Sequence, residues 1–154
     1  MKIEVSHESP ISCLDLSLSY NDYAYALVHL FEEKPEYYNF FKKIRSTTDV
    51  PVLLDNSIFE LGHSFDPSQY RKWIYKLDPN YYIVPDVLES SQLTINAWME
   101  FNSEALPLGP KQIGVVQGQT WTELVECYNW MSHHADYIAI SFDYSYYQTT
   151  GFGK

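Results

Sequence analysis

Residues 50–62 read VPVLLDNSIFELG, an apolar run that stops at Asp55 and gives way to Asn-Ser, Ile-Phe and Glu60. A run this short and this continuously apolar suits a strand covered on both faces, the signature of a parallel sheet. A carboxylate at the end of such a strand lies at the carboxyl edge of the sheet. Whether other strands of the chain end the same way decides both the fold and the site.

The downstream sequence repeats the arrangement. The run 81–84 closes with Pro85-Asp86, the β-branched run 112–116 with Gln117-Gly118, and the run 137–140 with Ser141, Phe142 and Asp143. Amphipathic helices are expected between them. Pro35 suits a first helical turn ahead of Tyr37, Phe40, Phe41 and Ile44 at helical spacing. Asp66-Pro67 is a cap followed by a proline at the first helical position, leading into a stripe of Tyr70, Trp73, Ile74 and Leu77. Ser90 or Ser91 can cap a helix that carries Thr94, Ala97, Trp98 and Phe101 on one face. Thr120 and Glu123 form a T-x-x-E capping box before Leu124, Tyr128 and Met131. Nearer the N-terminus, 11–16 and 24–30 each read as a strand, the second equally as the start of a helix.

Strands alternating with amphipathic helices make βαβ units and an α/β fold with a parallel sheet. Asp55 to Asp86 is 31 residues and Asp86 to Gln117 another 31, one βα unit each time. The repeat is one of architecture, not of residues. The expectation is a single domain over 1–154 with five or six parallel strands.

Composition narrows the function. The 154 residues carry 20 Asp plus Glu against 10 Lys plus Arg, a field that repels polyanions, so nucleic acid requires basic surface from elsewhere. Aromatics make up 17% of residues, with 14 Tyr, which suits a packed interior or an aromatic-lined cleft and excludes a disordered chain. Cys13 and Cys127 stand far apart with no zinc-type spacing, and read as reduced thiols of a cytoplasmic protein. The stretch MKIEVSHESP lacks a signal-peptide core, and no run approaches the roughly 20 apolar residues of a membrane span.

Asp55, Asp86 and Gln117 therefore converge on one sheet edge. Strand-end Asp and Gln often bind loop amides or cap the next helix. Here, though, caps are already available at Asp66, Ser90 and Thr120. Two carboxylates and an amide suit a guanine edge: a carboxylate accepts from N1–H and the exocyclic NH₂ while a glutamine amide donates to O6. Phe59, four residues after Asp55, offers a face for stacking.

LLDNSIFELG, VPDVL and GVVQG together resemble the tRNA-guanine transglycosylase superfamily, in particular its divergent bacteriophage branch that places 7-deazaguanines in DNA. The resemblance covers residues 50–143. The aspartate and phenylalanine of the family's Asp-Ser-Gly-Gly-Phe loop fall on Asp55 and Phe59, its purine-reading aspartate on Asp86, and its Val-Gln-Gly element on Val116, Gln117 and Gly118. Asn56, Ser57 and Ile58 replace the small Ser-Gly-Gly, and Ile140, Ser141 and Phe142 stand where a Gly-rich element is usual.

The resemblance implies an eight-unit (β/α) barrel of which this chain is the N-terminal portion, a partial TIM-barrel-like fold. It implies base exchange on tRNA or DNA, in which an aspartate attacks C1′, guanine leaves and a 7-deazaguanine replaces it. Asp55 takes the acid–base role, Asp86 and Gln117 orient the guanine or 7-deazaguanine base, Gly118 belongs to the same binding element and Phe59 stacks. Asp143, also at a strand end, is a further candidate for lining the cleft. The family's nucleophile and zinc-binding cysteines fall in the missing half. No metal or other cofactor is therefore expected within this chain, the chain alone is expected to be inactive, and self-association or a second subunit is expected to complete it. No membrane partner is implied. If the chain is phage-encoded, its compartment is the host cytoplasm.

Other residues have ordinary readings beside functional ones. Glu60 could pair with Asp55 as in glycosidases but reads as a solvated glutamate. His29 suits the same edge or a hydrogen-bonded core. His63, His133 and His134 lack partners at metal spacing. The YSYY of 144–147 suits an aromatic wall or an exposed strand. Two alternatives to base exchange stay open: a noncatalytic purine-binding or partner-dependent half-barrel, and an unrelated (β/α) hydrolase using Asp55 and Asp86.

Overall fold

A computed structural model of the chain describes residues 2–140. Five strands, β1 (Ala24–Leu27), β2 (Val52–Asp55), β3 (Tyr81–Ile83), β4 (Lys111–Val116) and β5 (Tyr137–Ile140), form one sheet in the order β1-β2-β3-β4-β5. Every neighbouring pair is parallel, with Leu27 level with Asp55, Leu54 with Tyr82 and Val116 with Ile140. Strand order follows chain order without a reversal.

The register assigns the two faces, because successive side chains of a strand point to opposite sides. Ala24, Ala26, Val52, Leu54, Tyr82 and Val84 share one face. They are buried in the main core with Tyr37, Phe41 and Ile44 of α3 (Pro35–Thr47), Tyr70, Ile74 and Leu77 of α5 (Pro67–Leu77) and Phe101 of α6 (Ser91–Phe101). A second, smaller cluster continues the same side, with Val116 and Ile138 against Cys127 and Met131 of α7 (Trp121–Met131). These four helices thus cover one face. Tyr25, Leu53, Asp55, Tyr81, Ile83, Ile113 and Val115 alternate onto the other, where Tyr81 and Tyr137, two strands apart, meet edge to face at 5.4 Å.

The helix starts form where the sequence places them. Asp66 accepts from the Gln69 amide at 2.9 Å with Pro67 at the first helical position. Ser90 caps α6, and Thr120 and Glu123 form the full reciprocal box at the start of α7.

Two expectations are corrected. Residues 11–16 are not a strand: Ile11–Cys13 is a 3-10 turn running into α1 (Leu14–Ser17). Ile11, Leu14 and Leu18 recur at helical spacing, with Leu14 buried and the other two packed on the core, so period and packing agree on a helix. On α7, Tyr128 is 48% exposed, and the stripe that packs inward is Leu124, Cys127 and Met131. The segment 24–30 divides between both readings, as β1 followed by α2 (His29–Glu33).

Candidate functional site

The carboxyl edge of the sheet gathers Asp55, Asp86 and Gln117, all buried, at 9%, 3% and 1% exposure. Asp55 ends β2 and takes two hydrogen bonds, one on each oxygen. The Tyr25 hydroxyl of β1 donates to Oδ2 at 2.6 Å, and the Ser57 amide donates to Oδ1 at 2.6 Å. The amide bond closes a local turn in which Ser57 adopts φ 60, the left-handed region. Glycine enters that region freely; serine holds it at a cost of roughly 1 kcal/mol. The turn leads into α4 (Ile58–Leu61), which carries Phe59 and Glu60 outward.

Asp86 follows β3 and is held by side chains from both neighbouring strand ends. Asn56 Nδ2 donates to Oδ1 at 2.7 Å and Gln117 Nε2 donates to Oδ2 at 2.7 Å. Asn56, fully buried, also donates to the Val84 carbonyl at 3.1 Å and accepts from the Ile58 amide at 3.1 Å. Ser64 clamps the backbone of Asp86, accepting from its amide at 3.1 Å and donating to its carbonyl at 2.6 Å. Gln117 Oε1 accepts from the Glu89 amide at 3.2 Å, and Gln117's own amide points to the buried Cys127 Sγ at 3.4 Å. A line of contacts therefore runs Gln117, Asp86, Asn56, with Asp55 next in the chain.

Among the described residues neither carboxylate has a cation. The ion pairs among the described residues involve other groups, so desolvation acts on these two unopposed by positive charge. Burial pushes the Asp55 carboxyl up to about 6; the Tyr25 and Ser57 bonds pull against it, and Glu60 and Asp86 add to it. Burial likewise raises Asp86, against the bonds from Gln117 and Asn56. Tyr25 is pushed well above its ordinary value by burial and then by Asp55, so it remains a donor. A carboxyl pushed up to about 6 beside a second carboxyl that accepts from two amide donors is an arrangement suited to proton transfer at one group and to accepting N–H donors at the other.

The remaining expected residues lie as follows. Phe59 is 65% exposed on α4. Gly118 is buried against the start of α7: a Cβ there would meet Glu123 Cβ at 2.9 Å and the Leu124 amide nitrogen at 3.0 Å. Its lack of a side chain lets the Gln117 loop dock on the helix. Asp143 and the YSYY stretch lie outside the described residues. Glu60 makes no hydrogen bond to Asp55 and is exposed, as are His63, His133 and His134. His29 begins α2 with its amide on Ser57 Oγ at 3.3 Å, and its Nδ1 is buried without a partner among the described residues.

The sequence reading missed Tyr25, Asn56 and Ser64. Tyr25 stands 30 residues before Asp55, one βα unit, and that spacing was the available signal. Asn56 follows Asp55 directly, and nothing in its local sequence signals the buried bond it makes to Asp86. No protein-family model and no curated protein matches the chain. Among the described residues no helix is long and apolar enough to cross a membrane, and no three His, Cys, Asp or Glu group to hold a metal ion.

Proposed function

We propose that this chain carries the base-reading half of a guanine or 7-deazaguanine exchange site, built on a partial (β/α) barrel. The observation that carries the reading is the hydrogen-bonded line from Gln117 through Asp86 to Asn56, one residue from Asp55 at the same sheet edge. Strand order without reversal and helices on one face support barrel-type winding, since a doubly wound sheet reverses its order and covers both faces.

In this reading Asp86 exchanges its bond from Gln117 for the N1–H and exocyclic NH₂ of the base, and the freed Gln117 Nε2 donates to O6. Asp55, with its carboxyl near 6, passes the proton that the leaving purine needs and takes it from the incoming one. Phe59 stacks from outside, and Gly118 holds the Gln117 loop on α7. The nucleophile, the family's zinc ligands and the basic contacts to tRNA or DNA come from a complementing segment or subunit.

Calorimetry with guanine, 7-deazaguanine and adenine tests the base reading. Adenine presents a donor at the six-position, where Gln117 Nε2 also donates, so guanine and 7-deazaguanine should bind at least tenfold tighter. Equal affinity for all three, or none, in a folded sample would end the proposal. A noncatalytic purine-binding half-barrel shares that binding result and differs in turnover. The purified chain should exchange no labelled guanine in tRNA or DNA by itself, and only a complementing polypeptide that restores exchange favours the transferase.

A further inference from the structure

Asp55 occupies a strand end, and a carboxyl group there is free to turn about its last torsion, which has broad minima. Two donors from different parts of the chain remove that freedom. One is local, the Ser57 amide on Oδ1. The other is the Tyr25 hydroxyl on Oδ2, delivered from the neighbouring strand. Leu27 is level with Asp55 in the ladder, so Tyr25 stands two residues lower on the same face, and its ring spans the difference. A group carried on a paired strand is placed more rigidly than one on a loop.

Tyr25 differs from Tyr37, Tyr38 and Tyr70. The hydroxyl of Tyr37 accepts from the Leu27 amide, that of Tyr70 donates to the carbonyls of Leu54 and Ile83, and that of Tyr38 donates to the carbonyl of Lys76. Those bonds tie the scaffold. Tyr25 alone, among the described residues, gives its hydroxyl to a carboxylate, and it does so on the face away from the helical core.

We propose that Tyr25 is the positioning residue of the site, fixing the Asp55 carboxyl in one orientation for proton exchange with a bound base. This rests on the reading of Asp55 as the proton carrier. The hydroxyl proton stays on Tyr25 and bridges to Oδ2; the proton that Asp55 takes from the incoming base weakens that bridge, and its delivery to the departing purine restores it. Other groups around Asp55 are Glu60 on α4, Asp86 beyond β3, Tyr70 on α5, Glu8 in the N-terminal segment through its effect on Tyr25, and His29 across Ser57. A donor to the charged form lowers a carboxyl's midpoint, so removal of the hydroxyl has a defined sign against this background.

The test is Tyr25→Phe in the full chain, with Asp55 followed by carboxyl-carbon NMR and guanine affinity measured across pH. The Asp55 midpoint should rise by about one pH unit, and any pH dependence of guanine affinity should move with it. A folded variant whose Asp55 midpoint stays put or falls overturns the proposal. Should Tyr25→Phe not fold, the unmutated protein decides. A slowly exchanging Tyr25 hydroxyl proton should be visible above the Asp55 midpoint and fade below it, and its absence at every pH overturns the proposal. Failure of guanine to bind while Asp55 still responds to Tyr25→Phe would refute the base-exchange reading and leave the pairing intact. Guanine binding with no such response would do the reverse.

Discussion

The two edges of the sheet use carboxylates in opposite ways. At the amino edge, Asp136 accepts from Lys111 at 3.0 Å and from the Gln112 amide at 2.9 Å, and its carboxyl is held below the ordinary range by those bonds. Asp78 pairs with Arg45 there at 3.0 Å. At the carboxyl edge, Asp55 and Asp86 are deeper, have no cation partner among the described residues and are pushed up by burial. The amino edge is arranged in the ordinary way, with exposed carboxylates paired to charges of opposite sign. The carboxyl edge carries a desolvation cost that the amino edge avoids, and the proposed base-reading role is one use for carboxyl groups placed so.

The largest break in this contrast comes from Asp86→Ala. It leaves the buried Asn56 Nδ2 with one acceptor fewer and Gln117 Nε2 without its partner, partly offset by relief of a buried carboxyl. We expect a net loss of about 2–4 kcal/mol in urea denaturation at pH 7, together with loss of base binding. A neutral or stabilising effect would show that the line of contacts is not the organised acceptor described above.

Asp55→Asn sharpens the contrast by removing charge while keeping shape. The folded-state midpoint near 6 lies above the ordinary 3.8, so the folded protein binds the extra proton more tightly than the unfolded chain. Stability from this group is fully present below about pH 4 and is lost as pH rises through about 6, roughly 3 kcal/mol in all. Asp55→Asn should therefore be the more stable protein at pH 8 by about 1–3 kcal/mol, with the advantage shrinking towards pH 4. The opposite slope would mean that Tyr25 and Ser57 outweigh burial.

The carboxyl edge, though not the amino edge, could be read in the sequence, and the reason is local. Asp55, Asp86 and Gln117 each follow an apolar strand directly, so chain direction alone sends them to one edge. Asp66, Ser90 and Thr120 announce their helices through caps that act within four residues. Residues 11–16 misled because a short apolar run without clear alternation suits strand or helix until its partners are known; the burial of Leu14 decides it. Tyr25 and Asn56 were hidden because their roles are pairwise across the sheet. A tyrosine inside a strand looks like core until the register sets its hydroxyl against a carboxylate one strand away. The positive φ of Ser57 was equally invisible, since serine gives no signal for it.

The smallest expected effect belongs to the amino edge, and it tests whether that edge is as ordinary as it looks. Lys111→Ala removes the ion pair with Asp136, whose partners are both substantially exposed. Water screens such a pair, and the long lysine chain loses entropy in forming it, so most of the Coulomb attraction cancels. The Gln112 amide still bonds Asp136, keeping its carboxyl low and the turn into β5 closed. We expect a urea midpoint indistinguishable from the unmutated protein in ordinary buffer, the same result in added salt, and unchanged guanine affinity. A clear loss that salt does not reproduce would mean that Lys111 packs along the sheet rather than merely pairing. Charge at the amino edge would then be tied to the half-exposed face bearing Tyr81 and Tyr137, and the division of labour between the two edges would fail.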